Sequence, residues 1–531
     1  FALVISFRIL EAIGSRLLNL CDCFFVLRSK KETDLLLKLQ TECKSYDEFV
    51  EIGHDLDAIS KGIQKWKRTP QCDDYDYELL DLQLKTMREM KQQQDVTKLM
   101  QSVSHVFRRT FCSLHNGNLY DTYCYIGTKH IIEEYFECLQ QCIEQMAAAP
   151  ISSISIEDRL EYFLRCKRSL GRTALCLSGG GSLSMAHCGV IRVLVQNECL
   201  PKVISGTSGG AILAGYLAVI SDQEMKNNID AHFGYKIANQ YGTRFLPTFL
   251  EQLFGAYRDR VLMPDSAYFI NSIQKYVGNY TFLEAYNKTG RHVTITVSYS
   301  TKNKDNKNHA HHILLNHITS PNVYIWSAIT ASCALPGLMK PQQLWAKPDD
   351  NNCEHENANA SHMIAYYPNG IQWVDGSLQA DIPIQSLQEL FRVNYTIVSQ
   401  VNPHVTPFLV TPQARQNSFG LKLLEMLDDM ASRTVNHQLD RLVKLKAIPA
   451  VYGHNFDKFA VQNFTGDITI VPRIPLSLRF KILSHPTDED MIQYIDIGEK
   501  ATWPHLQHIQ YVLKIEKLID STIKSLKAQK V

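Results

Sequence analysis

Two glycine-rich turns constrain the fold of this chain more than any other feature. The first, with the sequence GGGS at 179–182, follows the apolar run 173–178. The second, with the sequence GTSGG at 206–210, follows the shorter run 202–205. A helix-like apolar stretch comes after each turn. The resulting βαβα order between residues 172 and 220 predicts a parallel sheet with crossover helices.

The same two turns carry the groups that acyl transfer requires. A glycine turn at a helix N-terminus exposes backbone N–H groups, which favour negative charge, so the first turn predicts an oxyanion hole. The second turn has the G-x-S-x-G pattern, in which glycines let the backbone bend sharply around a serine and let a substrate approach. Ser208 is therefore the candidate nucleophile.

A serine hydroxyl is a weak nucleophile until a neighbouring base takes its proton. Asp375 is the best candidate for that base, because it follows the apolar run 371–374 and precedes Gly376, a pattern typical of a strand end beside a tight turn. The carboxylate could act directly or could orient a histidine. Four histidines follow Asp375 in the chain order of α/β-hydrolase triads, namely His404, His437, His454 and His485.

Composition argues against several classes of protein. The 55 Lys and Arg residues balance 54 Asp and Glu residues, and a net charge of +1 predicts no nucleic-acid partner. The 14 cysteines are scattered without a CxxC pair, which predicts reduced thiols and no zinc site. We expect no metal or other cofactor, and the sequence identifies no protein partner.

Four regions are predicted along the chain. An apolar amphipathic segment at 1–31 fits either a helix lying on a lipid surface or an ordinary core-facing helix. Three more regions follow: a helical domain at 32–165, a catalytic domain at 170–385 and a C-terminal extension at 386–531. The extension completes the core and ends in a helical tail. Within the catalytic domain, the apolar and aromatic stretch 240–265 favours a core helix over a lid across the site.

Several segments resemble a known family. The sequence GRTALCLSGGGSLSMAHCGVIRVL at 171–194 and the VDGS motif at 374–377 resemble the nucleophile region and the Asp motif of patatin-like phospholipases. Further stretches are more similar still to the intracellular triacylglycerol lipases of that family, the fungal and plant fat-mobilising type. These stretches are 118–135, 280–298, 320–338, 397–408 and 464–472.

The resemblance implies a fold and a site. The fold is α/β, a modified α/β-hydrolase three-layer sandwich with an N-terminal helical domain and a C-terminal extension. The site is a Ser–Asp dyad without histidine, in which Ser208 is the nucleophile and Asp375 the proton acceptor. The N–H groups that would hold the oxyanion belong to Gly180, Gly181 and Gly209. The remaining motif glycines are Gly179, Gly206, Gly210 and Gly376.

The resemblance also implies a substrate and a location. Triacylglycerol or another acylglycerol would be hydrolysed through an acyl-enzyme to diacylglycerol and fatty acid. The reaction would take place inside the cell, at a lipid droplet or an ER-associated membrane surface facing the cytosol. One alternative is a phospholipase A or a lysophospholipid acyltransferase. The other is a lipid-droplet binding protein whose site no longer catalyses a reaction.

Two positions depart from the commonest family pattern. Ser184 replaces the last glycine of G-x-G-x-x-G, and Ser377 stands where other patatin-like proteins often carry Gly or Ala. Neither change removes a reacting group, and serine is small enough to fit in place of glycine. The segment from His485 to Asp490 matches an H-x4-D acyltransferase pattern, but we interpret it as a polar loop because such matches arise by chance.

Overall fold

The structure is a computed structural model, and it describes residues 33–228, 246–259, 261–299, 312–348, 363–367, 371–378, 380–403, 405–406, 409 and 464–530. The predicted amphipathic segment at 1–31 lies outside the described residues. So do three of the histidines considered for a triad, His404, His437 and His454.

The N-terminal part of the described chain is helical. Five of its helices begin after a serine or aspartate whose side chain accepts a backbone N–H of the first turn, namely Ser45, Ser60, Asp76, Asp95 and Ser155. The helices are α1 (33–42), α2 (Tyr46–Ile59), α3 (Lys61–Arg68), α4 (Tyr77–Gln93), α5 (Val96–Val103), α6 (His130–Ala147) and α7 (Ile156–Leu170).

The rest of the chain contains nine strands within the described residues. They are β1 (Arg172–Leu177), β2 (Val203–Gly206), β3 (His292–Tyr299), β4 (His312–Leu315), β5 (Trp345–Ala346), β6 (Ile364–Ala365), β7 (Trp373–Asp375), β8 (Val393–Ser399) and β9 (Ile468–Ile470). Seven of them form one sheet in the order β4-β3-β2-β1-β8-β9, with β7 also pairing with β3. Strands β1, β2, β3, β8 and β9 are parallel, as the βαβα pattern predicts, whereas β4 and β7 run antiparallel to β3.

Helices cover both faces of this sheet. They are α8 (His187–Gln196), α9 (Gly209–Val219), α10 (Asp222–Asn228), α11 (Phe249–Asp259), α12 (Ala267–Val277), α13 (Phe282–Thr289), α14 (Ile325–Ser332), α15 (Ile384–Phe391), α16 (Leu476–Arg479) and α17 (Asp488–Lys530). No helix among the residues described here is long and apolar enough to cross a membrane.

Alternating residues of the strands divide the core into two layers. Leu175 and Ile204 point into the larger cluster, which α8, α9, α14 and α17 complete. Their neighbours Ala174 and Val203 point the other way, where α15 covers them. Because side chains alternate along a strand, one apolar run supplies both layers. The predicted three-layer α/β sandwich is confirmed.

One prediction about packing was wrong. The stretch 240–265 does contain a helix, α11, but the helix is not a core helix. Leu253, Phe254 and Tyr257 are 59%, 74% and 91% exposed. The apolar spacing identified a helix correctly, but the spacing does not determine whether the apolar face points inward.

Candidate active site

Ser208 stands at a sharp bend between β2, which ends at Gly206, and α9, which begins at Gly209. Its backbone has φ 52° and ψ −124°, a region that residues other than glycine seldom adopt. The bend brings the backbone of the turn very close to β1, since a Cβ at Gly210 would lie 2.3 Å from the carbonyl oxygen of Leu177. Such a bend presents the serine side chain at the end of the sheet, and Ser208 is partly exposed.

Side chains from α14 and the residue after it hold this strained serine in place. The Ser208 N–H donates to Ser332 Oγ at 2.9 Å, and the Ser332 hydroxyl donates onward to the Thr296 carbonyl at 2.7 Å. On the other side, Cys333 Sγ donates to the Ser208 carbonyl oxygen at 3.2 Å. Both main-chain polar groups of Ser208 are therefore bound, and these contacts offset the cost of the unusual backbone conformation.

Asp375 is the last residue of β7 and lies beside Val297 of β3. Its side chain is buried, and Oδ1 accepts the Ser377 N–H at 2.8 Å. Within the described residues, Oδ2 has no partner with full hydrogen-bond geometry. Burial raises the pKa of Asp375 to about 6, while the nearby Ser208 side chain and Ser377 act in the opposite direction and lower it. The structure thus brings Ser208 and Asp375 together.

The two glycine turns pack directly against each other. A Cβ placed on Gly179 would lie 3.1 Å from the Ser208 Cβ, and one on Gly209 would lie 2.8 Å from the Gly181 carbonyl oxygen. Gly181 itself has φ +57°, which glycine adopts without strain. In the described part of the chain, the N–H groups of Gly180, Gly181 and Gly209 have no hydrogen-bond acceptor. These three N–H groups therefore lie beside the serine, where a substrate oxyanion could accept hydrogen bonds from them.

Ser184 fills the position where the family pattern has glycine. Its side chain is buried, and its Oγ has no hydrogen-bond partner among the described residues. A Cβ on Gly209 would lie 2.3 Å from this Oγ, and one on Gly180 would lie 3.5 Å from it. Serine therefore fits here because residue 209 is a glycine, whereas a Cβ at position 180 would make only ordinary van der Waals contact with it.

Sequence reasoning missed one residue that ties the site together, Asp381. Its buried carboxylate accepts the Gly179 N–H at 2.9 Å and the Asn402 side-chain amide at 2.7 Å. Its main-chain carbonyl accepts the Thr207 hydroxyl at 2.9 Å. Asp381 thus bonds to both glycine turns. Burial raises the pKa of its carboxyl to about 7, and the charge of Asp375 adds to the increase, against the hydrogen bonds from Gly179 and Asn402.

Comparison with known proteins identifies the family. Residues 175–387 match the family model "Patatin-like phospholipase", and residues 25–168 match a domain of unknown function, DUF3336. Triacylglycerol lipase ptl2 of Schizosaccharomyces pombe is 31% identical over 513 residues, which cover 95% of this chain and 77% of that protein. The chain belongs to the patatin-like phospholipase family.

Two further relatives show how far the similarity extends. Triacylglycerol lipase ptl3 of Schizosaccharomyces pombe is 30% identical over 484 residues, 91% of this chain and 96% of that protein. A patatin-like phospholipase domain-containing protein of Candida albicans is 31% identical over 509 residues, 90% of this chain but 57% of its own length. The match to these patatin-like relatives thus includes the helical N-terminal part as well as the sheet.

Among the described residues, the histidines next to the site have structural contacts. His187 is fully buried between β1 and β8, with Nδ1 at 2.7 Å from Ser399 Oγ and Nε2 at 3.0 Å from the Ser178 carbonyl oxygen. Burial lowers its pKa to about 4, so it is neutral at pH 7. No group of three or more His, Cys, Asp or Glu side chains within the described ranges could hold a metal ion.

The H-x4-D segment has a local structural role at its aspartate. Asp490 Oδ1 accepts Lys481 Nζ at 2.7 Å, and Oδ2 accepts the Thr487 N–H at 3.1 Å, in the first turn of α17. An acidic side chain at this position stabilises the start of a helix. The interpretation of the segment as a polar loop is therefore wrong for its second half, because residues 488–490 form the first turn of α17 and Asp490 is buried.

Proposed function

We propose that this protein is a serine lipase that hydrolyses triacylglycerol to diacylglycerol and free fatty acid through a Ser208–Asp375 dyad. One observation carries the proposal: the buried Asp375 carboxylate lies next to a serine on a strained turn, beside three backbone N–H groups that have no acceptor within the described ranges. The relatives named triacylglycerol lipases supply the substrate class.

The proposed reaction has two steps. In the first, Asp375 takes the proton of the Ser208 hydroxyl while Oγ attacks the ester carbonyl, and the N–H groups of Gly180, Gly181 and Gly209 stabilise the oxyanion. The protonated Asp375 then donates this proton to the departing diacylglycerol oxygen. In the second step, a water molecule gives its proton to Asp375 and attacks the acyl-enzyme, which releases the fatty acid and restores the serine.

The electrostatics of Asp375 suit this role. A carboxylate with a pKa of about 6 is mostly ionised at pH 7, yet it is a stronger base than an exposed aspartate. Burial is the main cause of this raised pKa, and no histidine is needed to obtain it. Because triacylglycerol does not dissolve in water, we further propose that the protein works at a lipid-droplet or ER-associated membrane surface.

Replacing Ser208→Ala tests the proposal. We expect fatty-acid release from a triolein emulsion to fall by about 10³-fold or more, because the nucleophile is lost while its surroundings remain. Ser521→Ala, at an exposed serine of α17 that bonds only within its helix, is the matched control and should keep full activity. Unchanged release by Ser208→Ala would refute the dyad.

Two further measurements separate the alternatives. A fluorophosphonate probe should label the wild type at Ser208, whereas an inactive binding protein would not react. Parallel assays with phosphatidylcholine, and with a lysophospholipid plus an acyl donor, distinguish a phospholipase A or an acyltransferase from the triacylglycerol lipase proposed here.

A further inference from the structure

Helix α11 presents three apolar side chains outward and its polar contacts inward. Leu253, Phe254 and Tyr257 stand at positions i, i+1 and i+4, so they share one face, and all three are more than half exposed. On the opposite side, the Gln252 side-chain amide donates to the carbonyl oxygens of Pro247 at 3.0 Å and Leu483 at 2.6 Å. This arrangement is the reverse of an ordinary surface helix.

The inward side of α11 also requires a small residue. Gly255 is buried, and a Cβ there would lie 2.7 Å from both Pro264 Cδ and the Val261 carbonyl oxygen. The helix is therefore held against the protein through Gln252 and Gly255. This attachment leaves the outward face, defined by Leu253, Phe254 and Tyr257 and called here the α11 face, exposed within the part of the chain that the structure describes.

Contacts place α11 next to one side of the proposed active site. The Leu483 carbonyl that binds Gln252 belongs to the segment 482–484. That segment holds the oxyanion turn, since the Ser182 N–H donates to the Ile482 carbonyl at 2.9 Å and the Ser182 hydroxyl donates to the Ser484 carbonyl. The same segment is preceded by Phe480, whose side chain is 85% exposed.

The chain that follows α11 contacts the segment that supports the dyad. The N–H groups of Leu262 and Met263 donate to the carbonyls of Gly337 and Leu338 at 2.9 and 2.7 Å. This part of the chain follows Cys333, which holds the Ser208 carbonyl, and Ala334, whose own carbonyl accepts the Asp375 N–H at 3.1 Å. Helix α11 thus connects the segments that support the oxyanion turn and the dyad.

We propose that the α11 face and Phe480 form the surface that docks the protein on an aggregated lipid phase, with the active site beside the point of contact. The proposal rests on the lipase function proposed above, because only a water-insoluble acylglycerol requires such docking. Aromatic and leucine side chains are the groups that insert at a lipid–water boundary, and the tyrosine hydroxyl can remain hydrated there.

The size of the exposed apolar surface favours lipid over a second protein. Three aromatic side chains and one leucine expose on the order of 600 Å², below the roughly 800 Å² per partner of a stable protein interface. A lipid boundary needs only a few inserted side chains. Arg258 follows Tyr257 and is 72% exposed, but it pairs with Asp259 at 3.0 Å, so the proposal rests on the apolar side chains and not on charge.

The experiment compares an insoluble and a soluble substrate in the same variants. The triple variant Leu253→Ser, Phe254→Ser and Tyr257→Ser, and the single variant Phe480→Ser, are assayed on a triolein emulsion coated with phosphatidylcholine and on p-nitrophenyl butyrate in solution. Flotation with the same emulsion measures docking directly. A control triple variant replaces three other apolar residues that are also more than half exposed with serine, namely Leu82, Ile151 and Ile318.

We expect the triple α11 variant to lose at least ten-fold in flotation and in triolein hydrolysis, and Phe480→Ser about three-fold. Hydrolysis of the soluble ester should stay within two-fold of the wild type for both variants. The control triple variant should match the wild type in all three assays.

Three results would overturn the docking proposal: unchanged flotation of the α11 variant, an equal loss on both substrates, or a wild-type dimer that dissociates in the α11 variant as judged by light scattering. A wild type that hydrolyses neither ester would refute the lipase function instead, and flotation would then still report on docking.

Discussion

The Ser208 turn and the α11 face place polar and apolar groups in opposite ways. At the turn, polar groups are buried, and specific partners bind them, as Ser332 binds the Ser208 N–H and Asp381 binds the Gly179 N–H. On α11, apolar groups are exposed, and Tyr257 remains 91% accessible. Both arrangements cost free energy in an isolated molecule, through strain and desolvation at the turn and through hydration of apolar surface on the helix.

The difference shows how the two regions would serve one reaction. Catalysis requires donors and a base that are already in position when the ester arrives, and buried hydrogen bonds provide that positioning. Docking on lipid requires no exact geometry, only apolar area that becomes covered upon contact. Substitutions at the turn should therefore change turnover on every substrate, whereas substitutions on α11 should change only turnover of aggregated lipid.

The largest effect beyond Ser208 itself is expected for Asp375→Asn. Asparagine keeps the shape of the side chain but cannot take the serine proton, so kcat on p-nitrophenyl butyrate should fall by about 10²–10⁴-fold. Asp496→Asn, at a half-exposed carboxylate of α17 that pairs with Lys500, is the matched control and should retain activity. Full activity of Asp375→Asn would show that a different group is the base.

Asp381→Ala should have the next largest effect. It removes the acceptor of the Gly179 N–H and of the Asn402 amide, so the oxyanion turn loses an anchor, and kcat should fall by about 10- to 100-fold, corresponding to about 1–3 kcal/mol. KM for the soluble ester should change little, because Asp381 is buried behind the turn. Asp381→Asn keeps an acceptor for Gly179 and should retain more activity. A loss that appears only in KM would contradict a positioning role.

The pH profile tests the buried dyad without a mutation. The protonated form of Asp375 cannot accept the serine proton, so kcat/KM should rise with pH and reach half its maximum near pH 6, where the carboxyl is half ionised. Activity at pH 5 should then be about ten-fold below its plateau. A profile that stays flat from pH 5 to pH 8 would exclude Asp375 as the base.

The smallest effect is expected for Ser184→Ala. This change removes a buried hydroxyl that has no hydrogen-bond partner in the described residues, so the melting temperature should stay the same or rise, and soluble-ester activity should stay within two-fold. Ser184→Val is the contrasting variant. Its extra methyl group would press on Gly209, so both stability and activity should drop.

Local patterns were enough to predict the strand–turn–helix units and to select Ser208 and Asp375 as candidates, whereas the three glycine donors were implied by the family resemblance, and the catalytic roles of all five stay predictions. Glycines at a bend restrict the backbone to few conformations, and the residues between them acquire defined positions. Asp381, Asn402 and Ser332 could not be predicted in this way. They come from distant parts of the chain, and only the packing of the sheet brings them to the turns.

The sequence also could not predict which face of α11 points away from the protein. A helical period shows that a segment has an apolar face, but the environment of that face depends on what the helix is attached to. Here Gln252 and Gly255 hold the opposite side, so the general preference for apolar groups in the core gave the wrong prediction for Phe254 and Tyr257.

Helix α17 has a consequence for how the chain acquires its structure. Its first half packs on the sheet through Met491 and Tyr494, and its second half fills the core of the N-terminal helices through Ile519 and Ile523. The N-terminal helices are therefore synthesised before the segment that closes their interior. Until that segment emerges, the apolar interior of these helices is partly exposed and prone to aggregation. Chaperones would act mainly at that stage.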